Sequence, residues 1–113
     1  MTPKQIAALK TKSLAKWRTI AAEGAHANTP LGADDCGYCE IYCDGCRDCP
    51  LFRVRLCDDG IGRAYYTVRR ARNAAHAGDN SHIDESKKAA AVMVAAIERD
   101  IARDAKKAKR TKP

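Results

Sequence analysis

Apolar residues recur at helical spacing in three parts of the chain, and the first part carries clear start and stop signals. Its apolar face consists of Ile6, Leu9, Ser13, Trp17 and Ile20, with Leu14 beside them. Thr2 and Gln5 have the spacing of a capping box, and Gly24 is a typical residue after a helix end. We therefore predict a helix over residues 3–23, with Trp17 as a core anchor.

Two further stretches continue this helical pattern. A weaker stripe predicts a helix over residues 61–77, ended by Gly78, and a longer one predicts a helix over residues 82–108, capped near Ser81. The apolar face of the long helix consists of Ile83, Ala90, Met93, Val94, Ile97, Ile101 and Ala105. The predicted fold class is mainly α: about three helices, with a cysteine-rich metal-binding loop at residues 36–57 between helices 1 and 2.

The length of 113 residues predicts one small domain, residues 1–113. Only 5% of the residues are aromatic and much of the apolar content is alanine, so the core is modest and a metal staple would help it. Residues 106–113 are expected to form a basic, frayed tail. The run LFRVRL, residues 51–56, is the one stretch that would suit a short strand.

All six cysteines fall between residues 36 and 57, in the spacing Cys36-x2-Cys39-x3-Cys43-x2-Cys46-x2-Cys49-x7-Cys57. A C-x2-C pair presents two thiolates to one ion, and two such pairs satisfy the tetrahedral coordination of structural zinc. The predicted Zn²⁺ ligands are Cys36, Cys39, Cys46 and Cys49. Cys57 is an alternative ligand, and Cys43 could also replace one member of the set.

An iron–sulfur cluster is the main alternative to zinc. The run Cys43-x2-Cys46-x2-Cys49-Pro50 partly matches the cysteine spacing of bacterial ferredoxins, although there the proline follows the fourth cysteine. On this interpretation the cofactor is a [4Fe-4S] cluster and the protein a redox or sensing protein. Disulfides are a weaker alternative, because residues 1–10 lack the apolar core of a signal peptide and indicate a cytoplasmic protein.

The net charge of +7 is unevenly distributed. Residues 34–60 carry seven Asp/Glu against three Arg, or −4, and residues 81–113 carry nine Lys/Arg against five Asp/Glu, or +4. Basic flanks of this kind can bind phosphate backbones or acidic proteins. The predicted partner-binding residues are Arg69, Arg70, Arg72, Lys106, Lys107, Lys109 and Arg110.

The order of the motifs resembles that of small cysteine-rich proteins of tailed bacteriophages. The shared features are Trp17 in a first helix, Cys36-x2-Cys39, Cys46-x2-Cys49-Pro50-Leu51, Cys57, a helix with Tyr65 and Tyr66, and an alanine-rich helix with Met93. Cys43 is additional to this pattern, which makes it the expected spare thiol. The resemblance implies a cysteine-bound metal in a phage accessory protein of the host bacterial cytoplasm, and it implies no particular activity.

No catalytic arrangement is visible in the sequence: it has no Ser/His/Asp set, no phosphate-binding glycine loop and no paired-carboxylate site. No stretch has the roughly 20 apolar residues of a transmembrane helix, and no small-molecule substrate is indicated. We therefore expect a non-enzymatic, zinc-stapled binding module without a membrane partner. Its partner would be a host protein or nucleic acid, contacted through basic helix faces.

Overall fold

A computed structural model describes the chain at residues 1–31, 37–42, 49–53 and 63–111. The helices in these ranges are α1 (Pro3–Glu23), α2 (Gly37–Ile41), α3 (Pro50–Arg53), α4 (Arg63–His76) and α5 (Ile83–Thr111). The described part of the chain is mainly helical, as predicted. The first helix agrees with its predicted bounds at both ends, and the other two long helices agree to within a few residues.

The segment between α1 and α4 contains the short helices α2 and α3, so an unbroken loop at residues 36–57 is not confirmed. The suggested strand at 51–56 is wrong for its first part, since residues 51–53 belong to α3. Pro50 explains this, because its fixed φ suits the first position of a helix. Residues 32–36, 43–48 and 54–62 lie outside the described ranges.

Helix α5 is the central element of the fold. Helices α1 and α4 pack along it, α3 also contacts it, and α2 packs on α1. The largest fully buried side chains are Trp17, Leu31, Tyr38, Leu51, Val68, Met93 and Ile97. Trp17 is 1% exposed, which confirms it as a core residue. None of the described helices combines the length and the apolar character needed to cross a membrane.

The start of α1 and the turn that follows it are fixed by the local signals in the sequence. Thr2 accepts a hydrogen bond from the backbone of Gln5 at 3.1 Å, and the Gln5 side chain accepts one from the backbone of Thr2 at 2.8 Å. At the other end Gly24 has φ +84°, and a Cβ there would collide with the side chain of Ile83. Glycine at this position therefore permits both the turn and the contact with α5.

Two buried polar contacts connect the chain after α1 to the rest of the core. The Ser86 hydroxyl accepts a hydrogen bond from the backbone N–H of Ala25 at 2.9 Å and donates one to the carbonyl of Ile83 at 2.6 Å. Tyr65 packs edge-on against Trp17, with ring centroids 6.3 Å apart, and its hydroxyl donates to the carbonyl of Leu31. These contacts hold residues 25–31 against α4 and α5.

Candidate metal-binding segment

Two of the predicted metal ligands, Cys39 and Cys49, lie in the described part of the chain. Cys39 is half-buried in α2, and Cys49 is 8% exposed and directly precedes α3. Both pack in the same hydrophobic core. The other predicted ligands, Cys36 and Cys46, lie outside the described residues.

The remaining two cysteines, the alternative ligand Cys57 and the expected spare Cys43, also lie outside the described ranges. Within those ranges, no three metal-ligating side chains come together. The choice of four ligands among six cysteines therefore remains a prediction.

Helix α2 lies very close to α1, and Gly37 makes this approach possible. A Cβ at Gly37 would overlap the backbone carbonyl of Leu9. Any larger residue would therefore push α2 away from α1. The next residue, Tyr38, is fully buried, so the first turn of α2 is fixed in the core immediately before Cys39.

A buried charged network anchors Tyr38 to both terminal helices. The Lys10 ammonium on α1 lies 2.8 Å from Asp100 Oδ2 and 2.5 Å from Asp104 Oδ2, both on α5. The Tyr38 hydroxyl donates to the same Asp100 oxygen at 2.7 Å. Arg103 approaches the other Asp100 oxygen at 3.6 Å. The network thus joins α1, α2 and α5 at one point next to the cysteine segment.

The protonation states in this network follow from its contacts. Burial would lower the pKa of Lys10, but hydrogen bonds to Asp100 and Asp104 outweigh it and raise the pKa above its usual 10.5. Burial would raise the pKa of Asp100, but hydrogen bonds from Lys10 and Tyr38 hold it below its usual 3.8. Burial and the bond to Asp100 raise the pKa of Tyr38. At neutral pH, Lys10 and Asp100 are therefore charged and Tyr38 is neutral.

Tyr42 connects the two described cysteine-bearing pieces of chain. Its ring stacks on that of Tyr38, with centroids 6.3 Å apart and an interplanar angle of 17°. Burial raises the pKa of the Tyr42 hydroxyl, and the positive charge of Lys10 opposes this rise. Tyr42, Cys39 and Cys49 all pack in the same core.

Two buried polar atoms on α1 have no hydrogen-bond partner among the residues that the structure describes. They are Ser13 Oγ and Trp17 Nε1, which lie one helical turn apart on the buried face. Both residues had been assigned to the apolar face from the sequence, and their burial confirms that assignment.

The predicted arginine cluster on α4 is divided in the folded protein. Arg70 is engaged with Glu85 of α5, with 2.8 Å between its Nη2 atom and the carboxylate, and Arg72 contacts the side chain of Asn73. Arg69 is half-buried. Because neighbouring positions on a helix are separated by about 100°, Arg70 faces a different direction from Arg69 and Arg72.

The predicted cations at the end of α5 lie in a stretch of the helix that is largely exposed. Every residue from 102 to 109 is exposed, including Lys106, Lys107 and Lys109. Arg110 is also part of α5. The acidic residues of this half of α5 point elsewhere: Asp100 and Asp104 bind Lys10, and Glu98 lies 3.8 Å from Arg18 of α1.

Comparison with protein-family models, with curated proteins and with solved structures finds no significant match to this chain.

The donor chemistry of the segment fits a thiolate-bound metal. Cys39 and Cys49 both pack in one core, and each belongs to a predicted C-x2-C pair. Zinc and iron–sulfur clusters both take thiolate ligands, so the donor set is compatible with either. Two of the three described histidines make local contacts: His26 lies 2.8 Å from the carbonyl of Glu23, and His82 lies 3.5 Å from Glu85.

The sequence analysis missed the network of Lys10, Tyr38, Asp100 and Asp104. A signal for it was present. Lys10 lies four residues after Ile6 and seven before Trp17, within the apolar face of α1. Asp100 lies three residues after Ile97, within the apolar face of α5. Opposite charges placed in the apolar faces of two helices indicate a buried ion pair between them.

Proposed function

We propose that this protein is a non-enzymatic binding module in which zinc, held by cysteines of the segment 36–57, completes the fold. Basic helix surfaces then contact a macromolecular partner. The observation that carries the proposal is that Cys39 and Cys49 pack in the same core, beside a network that anchors their segment to α1 and α5.

The anchoring supports a structural metal. The proposed ligands are Cys36, Cys39, Cys46 and Cys49, with Cys57 as the alternative. When bound, the metal would supply folding free energy, because a site of this kind rarely exists in the unfolded chain; values are about 10–16 kcal/mol for small zinc domains. Such a contribution suits a short chain whose core contains much alanine.

The distribution of charge supports the binding role. The cations at the end of α5 are exposed, while the three acidic residues nearest to them are engaged with cations of α1. A basic helical surface of this kind favours an anionic partner. We also propose that the chain is a phage accessory protein that acts in the host cytoplasm. This part of the proposal depends only on the order of the sequence motifs.

The first experiment is metal analysis of the full chain, purified without oxygen or added metal. We expect about one zinc per chain and no visible absorption. Iron with sulfide and a broad brown absorption would instead establish the alternative, an iron–sulfur redox or sensing protein. Protein that contains neither metal, yet is folded by circular dichroism, would overturn the metal-stapled proposal.

A pair of variants then tests the ligand assignment. Cys39→Ser should lose the metal and lower the unfolding temperature strongly, because one of four ligands is removed. Cys43→Ser is the matched control, with the same chemical change in the same segment, and it should keep both metal and stability. Equal metal loss in the two variants would show that the four ligands have been chosen wrongly.

A further inference from the structure

The end of α5 has more positive charge at its surface than the sequence suggests. Residues 98–109 contain five Lys/Arg and three Asp/Glu, a formal charge of +2. All three acidic residues lie against Lys10 or Arg18 of α1. Including these two cations gives seven positive and three negative charges, or a local charge of +4.

The positive charges form a line along the solvent face. With about 100° between successive residues, Arg99, Arg103 and Lys106 fall within about 60° of one another around the helix axis. They are exposed, and they are separated along the axis by about 4.5–6 Å. Asp100 and Asp104 are turned toward Lys10 of α1, about 60° or more away from this row, and Arg103 also lies 3.6 Å from Asp100. The solvent face of this part of α5 is therefore a row of cations.

The arm, defined as residues 102–109, also has the dimensions of an element that enters a groove. Each of its eight residues is exposed, although Asp104 also contacts Lys10 of α1, and the arm extends for about 12 Å. Its uncharged positions are all alanine (Ala102, Ala105 and Ala108), so their short side chains add little to the diameter of the helix. The major groove of duplex DNA is about 12 Å wide and accommodates one α-helix.

The composition of the arm argues against an acidic protein as the partner. Protein interfaces obtain most of their binding energy from buried aromatic, large apolar and arginine anchors, and lysine is depleted in them. The arm has no aromatic or large apolar residue, and three of its eight residues are lysines. Contacts between lysine and phosphate need no such anchor, so a nucleic acid fits the arm better than a protein does. Binding of single-stranded bases by stacking would need aromatic rings, so the arm fits a double strand better than a single strand.

We propose that the arm of α5, together with Arg99, binds the phosphate backbone of double-stranded nucleic acid without sequence preference. This inference rests on the proposed function and names its partner class. Residues 98–109 contain no Asn or Gln, so they cannot make the paired hydrogen bonds by which these side chains read adenine in the major groove.

The test compares two charge-matched double variants of the full chain. Lys106→Gln/Lys109→Gln removes two charges from the arm, and Lys4→Gln/Lys12→Gln removes two exposed charges from α1. Binding is measured by fluorescence anisotropy on two unrelated labelled DNA duplexes of about 20 base pairs, from about 50 to 200 mM salt. Circular dichroism and metal content are recorded on the same samples.

We expect both duplexes to bind equally, with micromolar affinity or weaker. The arm variant should bind about 30-fold more weakly at about 0.15 M salt, since each phosphate contact contributes about fivefold there, and its salt slope should fall by about 2. The α1 variant should stay within about threefold of the wild type.

Equal weakening in the two variants would overturn the inference, because binding would then follow total charge. Wild-type protein that contains zinc and binds poly-glutamate but no duplex would also overturn the inference. That result would leave the proposed metal-stabilised binding module intact. Duplex binding that depends on the arm in protein without metal would support the inference and overturn the metal part of the proposed function.

Discussion

The network around Lys10 makes a quantitative prediction about stability. In Lys10→Met, the buried carboxylate of Asp100 loses a partner at 2.8 Å and keeps the Tyr38 hydroxyl at 2.7 Å and Arg103 at 3.6 Å. Removing one partner of a buried ion pair costs about 3–5 kcal/mol. Because Asp100 keeps one hydrogen bond and Met fills the space of the Lys side chain, we expect the lower end, about 3 kcal/mol.

The measurement is urea unfolding followed by circular dichroism, with a thermal melt as a second readout. A loss of about 3 kcal/mol corresponds to roughly 12 °C for a domain of this size. Lys12→Met is the matched control, since Lys12 lies on the same helix and is exposed. It should change the free energy of unfolding by less than about 0.5 kcal/mol.

A double variant separates loss of the ion pair from loss of packing. In Lys10→Met/Asp100→Asn the buried negative charge is removed, and the Asn carbonyl can still accept a hydrogen bond from Tyr38. We therefore expect part of the lost stability to return, so that the two changes are clearly non-additive. If Lys10→Met is as stable as the wild type, or if the two changes simply add, Lys10 and Asp100 do not form a buried pair.

Four further variants test the pH dependence of Asp100, the close approach at Gly37 and the cap at Thr2. Because the pKa of Asp100 is lowered in the folded state, its charge stabilises the fold fully above pH 3.8, and this stability is lost as the pH falls through the folded-state pKa. The free energy of unfolding should therefore fall more steeply with acidification in the wild type than in Asp100→Asn. Parallel curves for the two proteins would refute the lowered pKa of Asp100. Gly37→Ala should lower the free energy of unfolding by about 3 kcal/mol, because the added Cβ pushes α2 away from α1. Gly78→Ala should lower it by about 1 kcal/mol, because Gly78 has φ +89° but open space around it. Denaturant unfolding that ranks the two variants in reverse would contradict the close approach of α2 to α1. Thr2→Ala should cost about 1 kcal/mol by removing the capping box, and an unchanged melt would show that the cap contributes nothing.

The long helices were predictable because their signals are local. The capping box at Thr2, the glycine at position 24 and the acidic first turn of α5 each act within a few residues of a helix end. The apolar faces were also largely correct: Ala90, Met93 and Ile97 are buried. Ala105, by contrast, is exposed, because α5 continues beyond the helices that cover its earlier turns.

The contacts between helices were harder to predict, because they depend on which faces meet. Lys10 and Asp104 are 94 residues apart in sequence, and nothing near either residue specifies the other. The close approach at Gly37 depends equally on a distant backbone. For the cysteines, spacing predicts the type of ligand but leaves several sets of four open, and Cys39 and Cys49 are the only members in the described part of the chain.

The pairing of α1 with α5 has a consequence for synthesis of the protein. At about 5–20 residues per second, roughly 5–20 s pass between the appearance of Lys10 and that of Asp104, which lies 94 residues later. During this interval α1 exists without the helix that covers it. Because an unpaired charge is costly to bury, Lys10 disfavours burial of the apolar face of α1 before its partners are available. Lys10 can therefore enter the core only after Asp100 and Asp104 have been synthesised.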